Sequence, residues 1–461
     1  MKLLNVNNPA TEELITQLPI DDGAGVAIKA QKARTAQPAW AATPLVQRRA
    51  CIQTFRALVE KELDDLARTM TLETGKPLAH SRNELNGFLG RIDFFLSQAE
   101  SVLQTQTVFN QDGMCEQIEH IPLGVIGNIS AWNYPWFVGG NVFVPALLMG
   151  NAVLYKPSEF APMTGLAMAR LLHAAGVPQD VFAALIGAAD TGNALLAQAL
   201  DGMFFTGSLA TGQHIANVMG PRMTKLQLEL GGKDPTYVCA DADPVTAAQS
   251  LADGAMYNAG QSCCSVERVY VHASVHDRFV QALLETVRSF KMGDPLAADT
   301  YLGPLTRAPQ LQVLEAQVAD ALAKGARCLL GGQRAVGPFG GRGNWFNATV
   351  FDQVDHSMAL MREESFGPIL GIQKVDDDAQ AVRWMNDTAY GLTAGVYTPD
   401  EAHARAVLSQ VRAGTVYWNC CDRVSPRLPW SGWGHSGMGL TLSREGLATF
   451  TRPKAWHLRS V

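Results

Sequence analysis

The sequence predicts an α/β protein with two parallel-sheet domains, and two long stretches carry this prediction. Residues 124–240 alternate short apolar, strand-like runs with helix-like runs, as in GVIGNIS, NAVLYKP and VFAALIG. Residues 231–437 repeat the alternation with ERVYVHASV, LGIQKV and TVYWN. Apolar strands that alternate with helices are typical of parallel sheets covered on both faces. A chain of 461 residues is long enough for two or three such domains.

The segment before these stretches is predicted to be helical. Residues 26–40 and 46–77 carry apolar side chains at intervals of three and four residues. Gly75 and Pro77 are expected to end the second of these helices.

A hairpin and a terminal strand are predicted outside the two sheets. Residues 105–109 and 114–122 are strand-like, and Asp112-Gly113 between them is a strong turn signal. A lone hairpin is marginally stable, so it is expected to pair with another strand. Residues 448–461 are typical of an exposed strand that could add to the sheet edge of a neighbouring molecule.

Composition narrows the class of function. The chain is 47% hydrophobic and 17% charged, and its net charge of −6 gives no basic footprint for nucleic acid or an anionic membrane. The longest apolar run, 137–150, contains Asn141 and Pro145 and is shorter than the ~20 residues of a membrane span. We find no signal segment, and the eight cysteines show no metal-binding spacing. These features predict a cytoplasmic protein without a metal, a nucleic-acid partner or a membrane partner.

The stretch YNAGQSCCSVER, residues 257–268, contains the candidate nucleophile. A catalytic thiolate needs a base or a lowered pKa, access to a cleft, and donors for the oxyanion that it creates. Gly260 lets the backbone turn, so a cysteine soon after it can lie at the lip of a cleft. A cysteine taken alone is more often a buried core residue, so the surrounding motifs must decide whether this one is catalytic.

The chain contains eight motifs that, in their sequence and order, resemble those of the aldehyde dehydrogenase superfamily. They are SAWNYPW (130–136), YKPSE (155–159), FTGSLATG (205–212), LELGGKDP (228–235), NAGQSC (258–263), REESFGPI (362–369), NDTAYGLTAGVY (386–397) and SGWGHSGMG (431–439). In that family the cysteine of the GQxC string is the nucleophile. The resemblance therefore implies Cys263, not Cys264.

The resemblance also implies an architecture. It assigns residues 1–102 and 123–231 to a Rossmann-like NAD-binding domain and residues 232–437 to a Rossmann-like catalytic domain. Residues 103–122 and 448–461 would form a small β arm for oligomerisation. An NAD(P)-dependent homodimer or homotetramer is expected.

The cofactor site cannot be read from spacing alone, because the sequence lacks a GxGxxG fingerprint. FTGSLATG by itself could be a plain strand–turn–helix connection, although a helix N-terminus favours a pyrophosphate. The resemblance places the dinucleotide there, with Glu159 accepting from the ribose hydroxyls and repelling a 2′-phosphate, which predicts NAD over NADP. The cofactor residues implied are Ser130, Trp132, Lys156, Ser158, Glu159, Thr206, Gly207, Ser208, Gly212, Leu230, Gly231, Glu364 and Phe366.

Two further residues complete the implied catalytic group. Asn133 could be a simple turn residue, but in the family its amide and the Cys263 N–H hold the oxyanion. Glu229 could be a solvated strand-end carboxylate, but in the family it activates the water that releases the acid. Because members that transfer the acyl group to coenzyme A commonly lack this glutamate, hydrolysis is expected. The alternative is a catalytically silent binding homologue on the same fold.

The residues expected in the substrate pocket do not determine which aldehyde is oxidised. Register places Tyr134, Val138, Asn141, Ser262, Cys264, Val424 and Trp430 along the tunnel. Aromatic walls suit an aliphatic or aromatic aldehyde or, by cation–π attraction, an aminoaldehyde. Arg423 and Arg427 could pair with the carboxylate of a semialdehyde, or could be solvated loop charges.

The chain departs from the family pattern at three places. Gly434-His435 stand where a lysine is frequent, Leu440-Thr441 where an arginine–glutamate pair is frequent, and Val142 where many hydrolytic members have a lysine. In some relatives the arginine–glutamate pair helps in proton relay or subunit packing, and both roles are left open for Leu440-Thr441.

Overall fold

The computed structural model describes residues 2–460. These residues form four sheets from the strands β1 Leu3–Asn7, β2 Leu14–Pro19, β3 Gln106–Gln111, β4 Met114–Pro122, β5 Val125–Ile129, β6 Ala152–Lys156, β7 Phe182–Ala184, β8 Gly202–Thr206, β9 Lys225–Glu229, β10 Asp234–Val238, β11 Val266–His272, β12 Arg327–Leu330, β13 Thr349–Asp352, β14 Ile369–Val375, β15 Thr393–Tyr397, β16 Thr415–Trp418, β17 Gly437–Met438 and β18 Thr451–Arg459. The helices are α1 Gly23–Ala42, α2 Leu45–Lys61, α3 Leu63–Thr74, α4 Leu78–Leu103, α5 Pro135–Leu148, α6 Pro162–Ala174, α7 Ala189–Leu196, α8 Leu209–Met219, α9 Pro244–Met256, α10 His276–Ser289, α11 Ala308–Ala323, α12 Asp378–Asn386, α13 Glu401–Leu408 and α14 Ser443–Ala448.

The first large sheet has the strand order β17-β9-β8-β5-β6-β7. Its strands are parallel except for β17, which runs antiparallel to β9. From β5 the chain proceeds to β6 and β7 on one side, and then returns to β8 and β9 on the other. The strand order therefore reverses between β5 and β8, and in open α/β sheets ligands bind in the crevice at that point.

The second large sheet has the order β12-β13-β14-β11-β10-β15-β16 and is parallel except for β12. Strand β9 of the first sheet ends at Glu229, and β10 of the second sheet begins at Asp234. Because this connection is so short, the amino ends of the second sheet's strands face the carboxyl ends of the first sheet's strands. The prediction of an α/β fold with two parallel sheets is confirmed.

The predicted hairpin is present as β3 and β4. Asp112 and Gly113 at its turn have positive φ angles of 51° and 75°, as a two-residue hairpin turn requires. The terminal strand β18 pairs antiparallel with β4 along its whole length, from Thr451 opposite Pro122 to Arg459 opposite Met114. One edge of β18 is therefore occupied within the same chain. In the described sheet order β18-β4-β3 it is an outer strand, so its addition to a neighbour's sheet through the other edge stays a prediction.

One local prediction needs correction, and one pair of strands was not predicted. The helix expected over residues 46–77 is broken at Glu62, whose φ of −102° and ψ of 15° leave the helical range between α2 and α3. Its predicted end is confirmed, since Gly75 closes α3 with a φ of 78°. The antiparallel pair β1–β2 was not predicted, because its strands are short and mostly exposed.

Among the described helices, none combines the length and the apolarity needed to cross a bilayer.

A buried ion pair ties the helical layer to the first sheet. Lys76 lies between α3 and α4 and pairs with Glu84 of α4, and both side chains are almost completely buried. The other oxygen of Glu84 accepts hydrogen bonds from the N–H groups of Trp136 at 2.8 Å and Phe137 at 3.3 Å. A carboxylate at this position satisfies free donors at the start of α5 and complements the helix dipole. Glu84 therefore fixes the start of α5.

We expect Glu84→Gln to destabilise the protein strongly, because it leaves the Lys76 ammonium buried without a counter-charge. Removing one partner of a buried pair costs about 3–5 kcal/mol. Urea denaturation followed by fluorescence measures the change. The matched control is Glu60→Gln, which removes an exposed partner of Arg56 and should cause a much smaller shift because water screens that pair. Equal shifts for the two variants would contradict the role given to Glu84.

Candidate functional site

The loop that carries Cys263 has an unusual backbone. Asn258, Ala259 and Gly260 have consecutive positive φ angles of 53°, 53° and 68° just before β11. A Cβ atom at Gly260 would lie 2.1 Å from the carbonyl oxygen of Gly367, so only glycine fits. This contact holds the cysteine loop against the segment that leads into β14.

The sulfur-bearing residues of this loop have different environments. Cys263 is half-buried and lines a cavity of about 600 Å³. Cys264 is buried, and its thiol donates to Asp422 Oδ1 at 2.9 Å. Contact with Cys263, burial, and the nearby Asp422 charge raise the pKa of Cys264 well above its ordinary value. Cys264 is therefore held as a thiol, and Cys263 is the sulfur more open to the cavity.

Asn133 is tied to the cysteine loop and does not itself line the cavity. Its Nδ2 donates to the carbonyl oxygen of Gln261 at 3.1 Å, and Asn258 Nδ2 donates to the Asn133 carbonyl oxygen at 3.3 Å. The Asn133 Oδ1 is buried and has no hydrogen-bond partner among the described residues. Because Nδ2 carries two N–H groups, one of them remains beyond the bond to Gln261.

Glu229 is buried at the end of β9, which rules out a solvated strand-end carboxylate. It accepts hydrogen bonds from Gln227 Nε2 at 3.0 Å and from the hydroxyl of Thr441. Burial raises the pKa of Glu229 to about 7, against the opposing effects of Thr441 and the Arg91 charge. Thr441, which departs from the family pattern, is thus a hydrogen-bond donor to the candidate base.

All seven residues predicted for the substrate tunnel line the same cavity as Cys263 and Glu229. They are Tyr134, Val138, Asn141, Ser262, Cys264, Val424 and Trp430. Helix α4 supplies two lining charges that sequence analysis missed, Glu84 and Arg91. A signal was present, because both lie on one helix face with the buried Phe88 and Phe95, at intervals of three and four residues.

Eleven of the thirteen predicted cofactor residues follow the carboxyl ends of four adjacent strands. Ser130 and Trp132 follow β5, residues 156–159 end or follow β6, residues 206–212 end or follow β8, and residues 230–231 follow β9. These ends include the point where the strand order reverses. The segment before β14 supplies the other two residues, Glu364 and Phe366.

Glu364 and Phe366 meet the first sheet by direct contacts. Glu364 Oε1 accepts from the Gly232 N–H at 3.1 Å, and burial followed by repulsion from Glu267 raises the pKa of Glu364 to about 8. The ring of Phe366 meets Trp132 edge-on with centroids 5.6 Å apart. The segment before β14 of the second sheet therefore packs directly against the loops that follow β5 and β9 of the first sheet.

The turn after β8 has the features that a diphosphate needs. Ser208 caps α8, where its Oγ accepts from the Thr211 N–H at 3.4 Å, and the first turn of the helix offers unpaired N–H groups. Gly212 serves packing, because a Cβ there would lie 2.5 Å from the Leu230 side chain. This helix start, with the Glu159 carboxylate two strands away in the sheet, fits a dinucleotide.

Lys156 and Glu159 differ in how open they are. Lys156 is buried, burial lowers its pKa, and its Nζ donates to the Pro157 carbonyl oxygen at 3.0 Å. Its ammonium lies 3.8 Å from Glu159 Oε2, while the Glu159 side chain is 36% exposed. Glu159 can therefore reach a ligand, whereas Lys156 acts mainly as a nearby charge.

Comparison with known proteins points to one family. A family model described as "Aldehyde dehydrogenase family" matches residues 2–456. The chain is 36% identical over 458 residues to 3,6-anhydro-alpha-L-galactose dehydrogenase of Streptomyces coelicolor, covering 99% of this chain and 93% of that protein. It is 34% identical to a succinate-semialdehyde dehydrogenase [NADP(+)] of Deinococcus radiodurans, covering 97% and 93%. The crystal structure of an NAD-dependent aldehyde dehydrogenase from Sinorhizobium meliloti superposes with a TM-score of 0.96 at 30% identity, covering 99% and 92%.

We expect iodoacetamide to alkylate Cys263 much faster than Cys264, because Cys264 is buried and hydrogen-bonded to Asp422. Peptide mass spectrometry with fragmentation measures the modification at each sulfur. Cys263→Ser should remove the rapid phase, and the matched variant Cys264→Ser should retain it. Faster modification of Cys264 in the native protein would contradict this view of the two thiols.

Proposed function

Because the chain belongs to the aldehyde dehydrogenase family, we propose that it oxidises an aldehyde to the free carboxylic acid through a thioester on Cys263. The observation that carries the proposal is that Cys263 and Glu229 line one cavity. A nucleophile and a buried base at one site suit acylation followed by hydrolysis. A catalytically silent homologue would not need to keep both.

The first step is attack of the Cys263 sulfur on the aldehyde carbon. The oxyanion would be held by the Cys263 N–H, and the family resemblance supplies Asn133 as a second donor, whose N–H not bonded to Gln261 would have to turn toward the cavity. A donor of this kind contributes about 3–4 kcal/mol to the transition state. When bound, the nicotinamide cofactor supplies the hydride acceptor for this oxidation. The chain's own task is to hold the aldehyde carbon and the oxyanion in place.

The second step is hydrolysis of the thioester. The Glu229 carboxylate would accept a proton from water, whose oxygen adds to the thioester carbon as the Cys263 sulfur leaves as a thiolate. Hydrogen bonds from Gln227 and Thr441 orient the Glu229 carboxylate. Since burial raises the pKa of Glu229 to about 7, it can accept and release a proton near neutral pH.

We propose that the cofactor is NAD in preference to NADP. One relative is described as NADP(+)-dependent and one related structure as NAD-dependent, so family membership does not decide. Glu159 supports NAD because its open carboxylate can accept from both ribose hydroxyls, whereas a 2′-phosphate would meet a like charge. The nearby Lys156 ammonium softens that repulsion, and we therefore propose preference without exclusion.

The domain division and the assembly are also proposals. Residues 1–102 and 123–231 would form the cofactor domain, residues 232–437 the catalytic domain, and residues 103–122 with 448–461 the oligomerisation arm. Exposed apolar side chains on β3 and β18, among them Val108, Phe109 and Leu458, support a homodimer or homotetramer formed through this arm. All eight cysteines are free, which supports work in the reducing cytoplasm.

We expect Glu229→Gln to release a burst of about one NADH per active site and then stall, because acylation needs no activated water whereas hydrolysis does. Rapid-quench and stopped-flow absorbance measure the burst. In the native enzyme the hydrolysis-limited rate should rise as pH passes upward through about 7, since only the deprotonated Glu229 accepts a proton. A variant that slows the burst and the steady state equally would argue against Glu229 as the hydrolytic base.

We expect the native enzyme to favour NAD over NADP by about tenfold or more in kcat/KM, which corresponds to ~1.4 kcal/mol. Glu159→Ser should shrink this ratio by weakening NAD and relieving the repulsion of NADP. Steady-state kinetics with both cofactors and one aldehyde measure the ratio. The control Glu60→Ser removes an exposed carboxylate on α2 and should leave the ratio unchanged. A native preference for NADP would refute the role of Glu159.

A further inference from the structure

Arg91 is a buried cation that faces the substrate cavity. It lies on α4, is 5% exposed, and is one of the residues that line the cavity with Cys263. Its one hydrogen bond within residues 2–460 runs from NH1 to Asn141 Oδ1 at 2.9 Å. Its guanidinium lies 3.6 Å above the centre of the Phe137 ring. The other N–H groups of the guanidinium are left to the cavity.

Among the other buried cations, Arg48 also lacks an ion pair but donates to two backbone carbonyl oxygens, and two more cations are better matched. Lys76 pairs with Glu84, and Arg268 donates to four oxygen acceptors, three of them backbone carbonyls. Arg91 forms no ion pair with a carboxylate in the part of the chain that the structure describes. A buried charge is costly unless it is paired and hydrogen-bonded. Arg91 is therefore a buried cation without a carboxylate counter-ion among the described residues.

The two carboxylates whose charges act on Arg91 are Glu84 and Glu229. Neither can serve as its counter-ion, because each has other partners. Glu84 accepts from Lys76 and from the start of α5. Glu229 accepts from Gln227 and Thr441.

Both of these glutamates act on Arg91 only as neighbouring charges. Burial lowers the pKa of Arg91 to about 10, and the charges of Glu84 and Glu229 oppose that shift. Arg91 therefore stays protonated at neutral pH and needs a partner.

We propose that Arg91 binds the carboxylate of an ω-carboxy aldehyde whose aldehyde carbon lies at Cys263. This inference rests on the proposed function, since it names the substrate class of the same site. The planar guanidinium can donate two parallel hydrogen bonds to a carboxylate, a geometry that a lysine cannot reproduce. Asn141 and Phe137 hold the guanidinium in one orientation, so little freedom is lost on binding.

Two loop arginines offer a matched comparison. Arg423 and Arg427 also line the cavity, but both are exposed. An exposed guanidinium is already hydrated and gains little from an ion pair, whereas a buried one gains the partner that its site lacks. Arg91 should therefore decide substrate choice, and the two loop residues should not.

The test compares unbranched ω-carboxy aldehydes of increasing chain length with neutral aldehydes of equal length and with a polyhydroxy aldehyde. Steady-state kcat and KM are measured for the native enzyme and for Arg91→Gln, Arg91→Lys, Arg423→Gln and Arg427→Gln. We expect the native enzyme to prefer one ω-carboxy aldehyde over its neutral counterpart by about tenfold or more in kcat/KM. Arg91→Gln should abolish that preference, mainly by raising KM, and Arg91→Lys should restore part of it. The loop variants should keep it.

Four results would overturn the inference. Arg91→Gln could lose both substrate classes equally, which would make Arg91 a structural residue. Arg423→Gln or Arg427→Gln could abolish the preference instead. The native enzyme could favour a neutral or polyhydroxy aldehyde, which would leave the proposed oxidation standing without this substrate class. Failure of the native enzyme to oxidise any aldehyde would defeat the proposed function itself.

Discussion

The close contact between Gly260 and the carbonyl of Gly367 is the constraint on which the position of the candidate nucleophile depends. It joins the cysteine loop before β11 to the segment before β14, and no side chain larger than hydrogen fits between them. Glu267 holds the segment before β14 as well, because it accepts hydrogen bonds from the N–H groups of Ser365 and Phe366. Glu267 also pairs with the buried Lys233. The position of Cys263 relative to Phe366 is therefore set by the contact between these two segments.

Burial also shifts the pKa values of the carboxyl groups around the candidate site. Glu229 is buried and Asp422 and Glu364 are half-buried, and burial raises their pKa values to about 7, 6 and 8. Ionised groups interact strongly where the effective dielectric constant is low. A proton can therefore move at Glu229 near neutral pH, while the thiol of Cys264 is kept protonated beside Asp422. Clustered pKa shifts of this kind are typical of catalytic sites.

Much of this could be predicted from sequence because the signals are local. Apolar strands alternating with helices identified the two sheets, and Asp112-Gly113 identified the hairpin. Glu229 became the candidate base because the motif LELGGKDP resembles the family's. What sequence could not give are contacts between distant segments. Thr441 lies 212 residues from Glu229 along the chain, and no local pattern indicates that they bond.

The remaining misses have the same physical origin. The break between α2 and α3 at Glu62 has no local signal, because its flanking residues are good helix formers. The partner of β18 depends on matching β4 across more than three hundred residues. Arg91 shares a helix face with buried phenylalanines, yet only the folded cavity reveals that its charge has no carboxylate partner among residues 2–460.

The central claim is that Cys263 carries the acyl group during turnover. The most direct measurement is peptide mass spectrometry, with fragmentation, of enzyme acid-quenched during steady-state oxidation of an aldehyde. We expect the mass of the acyl group on Cys263, with Cys264 unmodified, and we expect the adduct to disappear once the aldehyde is consumed. An adduct on Cys264, or continued turnover of the Cys263→Ala variant, would contradict the account.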